Sequence, residues 1–460
     1  MANERTAVRA GNDLTEGPIV NKILLFALPV MASSLLQQLY NAVDSIVIGQ
    51  YAGASSLAAV GVSNPVMMLF TALFMGISAG AGIVISQNFG AKNMERLRQA
   101  INTALSMAFI IGLLITVLGI LLCRPLLRLL NVPDTVIGNA ALYLTIIFAG
   151  TIGNVFFNYG SGILRGMGDS KWPLIALAIS CFLNIVLDIL FVYAFGWGIA
   201  GVAIATVIGQ TLSGLALAWR INKFGYGIKI SLYEMLHPNL DLAMTIIKLG
   251  VPSALQQVAM SLGGVITQSF TNRFGEVFIA ANTVVQRVDG FVIMPMFGLS
   301  AAATTFAGQN MGAGKFERVK TGVSRILLMI VGLAVFMGVL MFFFGSYLAK
   351  AFTSQSDVIE IAVQGIRIIC FVYAFMGMEI TFAGALRGCG IAFMPMMASL
   401  GSLVARIVLV YVLAIVPFNY MGVYYAMGIQ MIIGCLLNAV YYRFGNWRAR
   451  SERVAARVNE

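Results

Sequence analysis

The chain has 460 residues, of which 59% are hydrophobic and only 10% are charged. Its mean hydropathy of +0.90 excludes an ordinary soluble protein and indicates an integral membrane protein. Five cysteines without a CxxC pair and a single histidine, His237, argue against a disulfide framework, a metal centre and redox chemistry. We therefore expect no bound cofactor.

The first apolar stretch, residues 23–49, is long enough to cross a bilayer but carries a proline and an acid. A spanning helix needs about 20 apolar residues, and an ionisable group inside one costs at least roughly 2.5 kcal/mol, so such a group is expected to serve a function. Gln37, Asn41 and Asp44 recur at spacings of four and three and share one stripe of the helix. Pro29 removes a backbone hydrogen bond near the helix start. The sequence predicts a first span with a polar face and a hinge.

Apolar stretches recur along the whole chain and predict twelve membrane spans. Most of the 29 lysines and arginines fall in the two tails and in the loops after even-numbered spans, the bias that marks the cytoplasmic side. This distribution explains the net charge of +11 without a nucleic-acid partner. We expect a multi-pass protein of the cell membrane with both termini in the cytoplasm. The predicted spans are residues 22–48, 57–85, 100–122, 137–159, 172–195, 199–221, 245–272, 279–306, 323–345, 358–384, 393–416 and 421–443.

The second half of the chain repeats the first with an offset of 222 residues. The motif QNFGA at 87–91 returns as QNMGA at 309–313, and LRGMG at 164–168 returns as LRGCG at 386–390. Pro252, the second predicted hinge, corresponds within one residue to Pro29. Because each half has six spans, an even number, both halves begin on the same side of the membrane. The two halves therefore form a parallel repeat, related by an axis along the membrane normal. The prediction is an all-α protein with a tail at 1–20, an N-lobe at 21–222, a cytoplasmic loop at 223–244, a C-lobe at 245–445 and a tail at 446–460.

In these motifs the chain resembles the multidrug and toxic compound extrusion (MATE) transporters over nearly its whole length. The resemblance implies two six-helix lobes around a V-shaped cleft, and alternating access in which inward H⁺ or Na⁺ drives the expulsion of lipophilic, often cationic, compounds. The chain is most similar to the DinF-like and MepA-like bacterial branch, whose members carry a cation site in the N-lobe. The positions that match this site are Asp44, Asn184 and Asp188, with Tyr143 and Thr206 as supporting residues.

Helix geometry points to the same N-lobe pocket. Counted from the predicted outer ends of their spans, Asp44, Tyr143, Asp188 and Thr206 lie at one depth, roughly 8 to 11 Å at about 1.5 Å per residue. No lysine or arginine lies deep in the N-lobe spans. We therefore expect a proton or a bound cation such as Na⁺ to neutralise the negative charge of the two acids. The alternative is that these side chains form separate polar pairs that bridge helices.

The C-lobe spans contain both acidic and basic residues. Arg287, Arg367 and Arg406 stand against Asp289 and Glu379, so we expect charge pairs with a structural or gating role. In the N-lobe, Tyr143 and Asn154 share a face of the fourth predicted span, which supports the inference of a common pocket. The side chains expected to line the substrate cleft are Gln37, Asn41, Asn154, Asn158, Gln256, Met260, Asp289 and Glu379.

These features favour a cation-coupled efflux antiporter that acts as a monomer on lipophilic cations and drugs within the lipid membrane. The alternative is a flippase of the same superfamily for lipid-linked precursors, which would need unpaired basic residues in its cleft for a pyrophosphate headgroup. An enzyme is a third class, but the GxSxG match at 76–80 lacks the preceding strand and a nearby histidine that a nucleophilic serine requires.

Overall fold

The computed structural model describes residues 13–224, 228–417, 419–447 and 449. The rest of the predicted tails and of the inter-lobe loop lies outside the described residues. Within the described part, every regular element is helical, and ten helices are long and apolar enough to cross a membrane. Two bent pairs, α4 with α5 and α12 with α13, complete the twelve spans. The helices are α1 (Ile19–Val47), α2 (Ala54–Gly90), α3 (Met94–Leu129), α4 (Asp134–Ala149), α5 (Thr151–Gly166), α6 (Lys171–Asp188), α7 (Gly198–Phe224), α8 (Leu232–Leu236), α9 (Leu240–Thr271), α10 (Glu276–Gly312), α11 (Phe316–Phe352), α12 (Ser356–Cys370), α13 (Tyr373–Gly388), α14 (Phe393–Val410) and α15 (Met421–Phe444).

The fourth and tenth spans each bend by 50° where their two helices meet. Gly150 lies between α4 and α5, and a Cβ there would overlap the side chain of Val207 on α7. The sequence predicted one uninterrupted fourth span. The inference that Tyr143 and Asn154 share a helix face is therefore wrong, because the two residues lie on opposite sides of the bend.

The internal repeat extends to the helix boundaries. α6 and α14 begin and end 222 residues apart, and each continues into a π-helical turn, Ile189–Ala194 and Tyr411–Ile415. The stretch from Pro29 of α1 to Gly53 is one residue longer than the equivalent stretch from Pro252 of α9 to Gly275. A third π-helical turn, Ile48–Ala52, takes up that extra residue. The predicted all-α fold of two repeated six-span lobes is confirmed.

The first turns of α1 and α9 each pack in the core of the opposite lobe. Ile23 and Phe26 of α1 are fully buried in a core that otherwise belongs to the C-lobe. Leu242 and Ile246 of α9 are buried in the N-lobe core in the same way. The lobes are therefore packed together at the end of the molecule where α1 and α9 begin, which we call the closed end.

The repeated QNxGA motif forms the centre of the closed end. Gln87 donates a hydrogen bond to the carbonyl of Gly388 at 2.9 Å, and its repeat partner Gln309 donates to the carbonyl of Gly166 at 2.9 Å. A Cβ at Gly312 would overlap the carbonyl of Gln87, and the matching glycine of the first motif meets Gln309 in the same way. The motif recurs because each copy makes the same contact with the opposite lobe.

Residues 13–17 run across the closed end and contact both lobes. Leu14 is fully buried, and the ammonium group of Lys315 in the C-lobe donates to the carbonyl of Thr15 at 2.9 Å. On the N-lobe side, Lys92 forms an exposed ion pair with Glu16 at 3.5 Å. Separation of the lobes at this end requires that these contacts break.

Candidate functional site

Two carboxyl groups face each other inside the N-lobe. Asp44 lies on α1, and Asp188 is the last residue of α6. The two groups lie within hydrogen-bonding reach of each other. Asp188 is completely buried, and Oδ1 of each acid is buried without a hydrogen-bond donor among the described residues. Two carboxylate oxygens can approach this closely only when a proton or another cation lies between them.

A polar network holds Asp188 in place. With its amide assigned from its neighbours, Asn184 donates to Oδ2 of Asp188 at 3.0 Å and accepts from the backbone N–H of Thr206 at 3.2 Å. The hydroxyl of Thr206 lies 3.3 Å from the hydroxyl of Tyr40 on α1. The network therefore connects α1, α6 and α7 around the two acids.

Tyr143 of α4 completes the pocket, since it is buried and lies close to both acids. Neither Asp44 nor Asp188 forms an ion pair with another described residue. The pocket thus combines carboxyl, amide and hydroxyl oxygens without a fixed positive charge. Such oxygen donors suit either a proton or a hard cation such as Na⁺.

Sequence reasoning missed two parts of this site. Tyr40 lies four residues before Asp44 on the same face of α1, so its spacing was a usable signal. The π-helical turns that follow both acids carried no recognisable signal. These turns pack against each other through Tyr51 and Tyr193, whose ring centroids are 5.6 Å apart. Such turns often occur at functional sites.

The predicted cleft residues of the N-lobe lie on α1 and α5. Gln37 and Asn41 are exposed on α1. Asn154 and Asn158 are half-buried on α5, and the amide of Asn158 donates to Oδ1 of Asn154 at 2.7 Å. In the GxSxG match, the hydroxyl of Ser78 donates to the carbonyl of Asn158 at 2.9 Å, so it joins two helices.

The predicted cleft residues of the C-lobe fall into different environments. Gln256 is buried and accepts from Nη1 of Arg387 at 2.6 Å while it donates to the hydroxyl of Ser399 at 3.0 Å. Met260 is exposed. The structure therefore holds Gln256 within a packed network, whereas a role of Met260 in the substrate cleft stays a prediction.

The predicted charge pairs of the C-lobe are wrong. Neither Asp289 nor Glu379 forms an ion pair with any of the three arginines, all five of which are described. Asp289 points into the C-lobe core, where it accepts a hydrogen bond from the hydroxyl of Tyr373. The carboxyl of Glu379 packs against Gly434 on α15. Both acids are satisfied or enclosed by neighbours other than arginine.

The three C-lobe arginines also lie apart from one another. Arg287 is exposed on α10, and the guanidinium of Arg367 lies over the ring of Phe342, 5.3 Å from its centroid. Arg406 is half-buried on α14, and its Nε is buried without an acceptor among the described residues. Helical spacing indicated correctly that these residues lie within spans, but it did not indicate which way each side chain points.

Both predicted hinge prolines lie inside continuous helices. The hydroxyl of Ser33 donates to the carbonyl of Pro29 at 2.8 Å, one turn earlier on α1. Near Pro252 on α9, the hydroxyl of Ser253 donates to the carbonyl of Leu249 at 2.8 Å. A bending motion at these positions stays a prediction, because the structure has a single conformation.

Twelve spans in two parallel repeats, with an uncompensated pair of acids inside one repeat, define a membrane transporter. The family model MatE matches residues 29–190 and again residues 252–412, so the chain belongs to the MATE family. The chain is 29% identical to the probable multidrug resistance protein YpnP of Bacillus subtilis, over 95% of this chain and 98% of that protein. It is 30% identical to the probable multidrug resistance protein YoeA of the same organism, over 91% and 92%. A crystal structure of MATE in the bent conformation superposes with a TM-score of 0.89 and 25% identity, over 97% and 99% of the two chains.

Proposed function

We propose that this protein is a cation-coupled efflux antiporter, driven by H⁺ or Na⁺, that exports lipophilic, often cationic compounds by alternating access. It works as a monomer in the cell membrane, with both termini in the cytoplasm. The observation that supports coupling is the contact between Asp44 and Asp188, two acids that each have a buried oxygen and that form no ion pair with a described residue. The names of the relatives support the class of substrate.

The acid pair supplies a means of binding and releasing one cation. Two like charges about 4 Å apart repel by roughly 4 kcal/mol at an effective dielectric constant of about 20. A proton or a Na⁺ ion between Asp44 and Asp188 removes this repulsion and holds α1 against α6. Release of the cation favours separation of the two helices.

Movement of α1 connects the acid pair with the closed end. Asp44 lies in the second half of this helix, whereas Ile23 and Phe26 in its first turns are buried in the C-lobe core. Pro29 lies between them, about 22 Å from Asp44 at 1.5 Å per residue. Occupancy of the pair thereby biases the contacts between the lobes, which is the requirement for alternating access.

Efflux of a fluorescent cationic dye from proteoliposomes tests this function. Coupled export is expected when a proton gradient or a sodium gradient is imposed alone, and the effective gradient identifies the coupling ion. Dye movement that neither gradient accelerates would contradict the proposal. Gly138→Ala, at a position where a Cβ meets no atom within 4 Å, serves as a control for the handling of variants.

The flippase alternative gains one observation. Arg406 forms no ion pair with a described acid. A pyrophosphate headgroup would need a cluster of such unpaired basic residues, and Arg406 is a single one. Reconstituted protein can be offered a fluorescent lipid-linked pyrophosphate in place of the dye. Translocation of that lipid, without gradient-driven dye export, would decide in favour of the flippase.

A further inference from the structure

A polar cavity and an apolar groove meet on the outside of the C-lobe. The cavity, of about 540 Å³, lies between the end of α11 and the start of α12. The groove, of about 430 Å³, lies between α15 and the bend that joins α12 to α13. Arg367 lines both. The polar side of the cavity is formed by three serines, at 346, 354 and 356, together with Lys350, Glu360, Gln364 and Arg367.

Arg367 lies at a depth where a cation needs a partner. It is eleven residues beyond the start of α12, which is roughly 16 Å along the helix at 1.5 Å per residue. Its side chain is exposed, contacts the ring of Phe342 and forms no ion pair with any described residue. A long side chain at this depth extends toward the membrane surface, which is the direction in which Lys350 lies.

The cavity carries a net positive charge. Lys350 is exposed in the last turn of α11 and also forms no ion pair with a described residue. Glu360 is the single acid of the lining, and one of its oxygens accepts from the amide of Gln364 at 3.4 Å. Two cations therefore face one carboxylate that is already engaged, which favours an anionic group between the cations.

The groove below the cavity is apolar and open to the surroundings of the helix bundle. Phe371 is 71% exposed and Tyr425 is 51% exposed, and Ile429 and Ile432 of α15 form the rest of its wall. In a protein that spans a membrane, such a surface contacts lipid tails. A cationic cavity that continues into an apolar groove matches a molecule with an anionic head and a hydrocarbon chain.

We propose that this surface is a binding site for one anionic glycerophospholipid. The phosphate lies between Lys350 and Arg367, and one acyl chain lies along the groove beside Phe371 and Ile429. The site depends only on the membrane-spanning fold and the C-lobe surface. It does not depend on the coupling role of the N-lobe acids.

The internal repeat shows that the deep cation is specific to the C-lobe and supplies a control. At the equivalent N-lobe positions, Arg128 matches Lys350, but Thr145 matches Arg367. Arg124 matches Ser346 of the cavity lining. The N-lobe therefore has two cations near the end of its helix, but it lacks the deeper cation that Arg367 supplies. Arg128→Gln removes the same charge from the same place in the other lobe, outside the proposed site.

The experiment measures lipid binding to the purified full-length protein in neutral detergent by native mass spectrometry. The probes are dioleoylphosphatidylglycerol, dioleoylphosphatidylcholine and soluble glycerol 3-phosphate. The wild type is expected to retain one phosphatidylglycerol in preference to phosphatidylcholine and to bind glycerol 3-phosphate weakly. Arg367→Gln is expected to lower phosphatidylglycerol affinity about tenfold, the loss of roughly one charge-assisted contact.

Three further variants make the result decisive. Lys350→Gln is expected to weaken binding less than Arg367→Gln, and Arg128→Gln is expected to leave it unchanged. Ile429→Trp keeps both charges but fills the groove, so it is expected to reduce phosphatidylglycerol binding in a protein whose thermal unfolding matches the wild type. Equal binding by Arg367→Gln and wild type would overturn the proposal. Equal retention of both lipids, or tight binding of glycerol 3-phosphate alone, would overturn it as well.

Discussion

The acid pair of the N-lobe and the equivalent place in the C-lobe share a backbone but differ in chemistry. α6 and α14 have the same length and the same π-helical continuation. Asp188 ends α6, whereas Val410 ends α14, and Asn184 is matched by Arg406. In the N-lobe, two acids face each other without a cation. In the C-lobe, the chain supplies its own cation at that position.

The helices that pack against α6 and α14, α1 and α9, also differ: α9 lacks the acid and the tyrosine that α1 contributes to the N-lobe site. Thr267 of α9 stands where α1 has Asp44, and Gly263 stands where α1 has Tyr40, when the two helices are aligned on their prolines. A Cβ at Gly263 would lie 3.3 Å from Nη1 of Arg406, so the glycine leaves room for the guanidinium.

An arginine keeps its proton under all physiological conditions. The comparison therefore supports the proposal that cation exchange belongs to the N-lobe, because the equivalent C-lobe position carries a permanent charge.

Transplanting the C-lobe residue into the N-lobe should have the largest effect. Asn184→Arg places a permanent cation beside Asp188, so the acid pair no longer needs H⁺ or Na⁺. Gradient-driven dye efflux is expected to fall to the level of empty liposomes, while Asn184→Gln retains a measurable part of it. Wild-type efflux from folded Asn184→Arg protein would remove the basis of the comparison.

Tyr40→Phe tests the link between α1 and the rest of the site. Loss of the hydroxyl removes its contact with Thr206, worth roughly 0.5 to 1.5 kcal/mol. We expect the concentration of H⁺ or Na⁺ that gives half-maximal efflux to rise about two- to tenfold, with a smaller change in maximal rate. A control substitution at the equivalent position of α9, Gly263→Ala, should leave this concentration as in the wild type. An unchanged cation dependence in Tyr40→Phe would show that the contact plays no part in coupling.

Arg406→Asn gives the C-lobe the residue that the N-lobe has at the matching position. It removes a cation whose Nε is buried without an acceptor, so the midpoint of thermal unfolding is expected to stay the same or rise. Dye efflux should remain coupled within about twofold of the wild type. Complete uncoupling by Arg406→Asn, with Arg406→Lys still active, would show that both lobes take part in cation exchange.

Asp289→Asn should change coupling least, although it alters a buried acid. Asp289 accepts a hydrogen bond from Tyr373 inside the C-lobe. An amide oxygen can still accept this bond, so loss of the charge weakens it by roughly 1 kcal/mol, the difference between a charged and a neutral hydrogen bond. The expected outcome is a lower unfolding temperature with retained gradient-driven efflux. Loss of coupling at an unchanged unfolding temperature would place Asp289 in the cation cycle instead.

Hydropathy and repetition were sufficient to predict the fold. Spans of about 20 apolar residues leave a signal that survives uncertain ends, and the offset of 222 residues required the same topology in both halves. The bend at Gly150 was not predictable, because the hydropathy of α4 and α5 runs on without a break. The error over Tyr143 and Asn154 followed from that one residue.

The site was predictable in part for a related reason. Asp44 and Asp188 are visible as isolated acids in apolar spans, and their depth could be counted from span ends. Arg406 and Asp289 are equally visible, but opposite charges pair only when their helices pack together and both turn the charged side chains toward each other. That rotation depends on packing across several helices, which residue spacing within one helix does not report.

The most direct test of the central claim is a double-mutant comparison of Asp44→Asn, Asp188→Asn and the combined variant. Each is reconstituted, checked for folded protein by its thermal unfolding, and assayed for dye efflux under an imposed proton or sodium gradient. If the two acids hold one coupling cation, each single variant loses gradient-driven efflux and the double variant loses no more, because either change disables the same site. Wild-type efflux from either single variant, or losses that multiply in the double variant, would contradict the claim that the pair is one site.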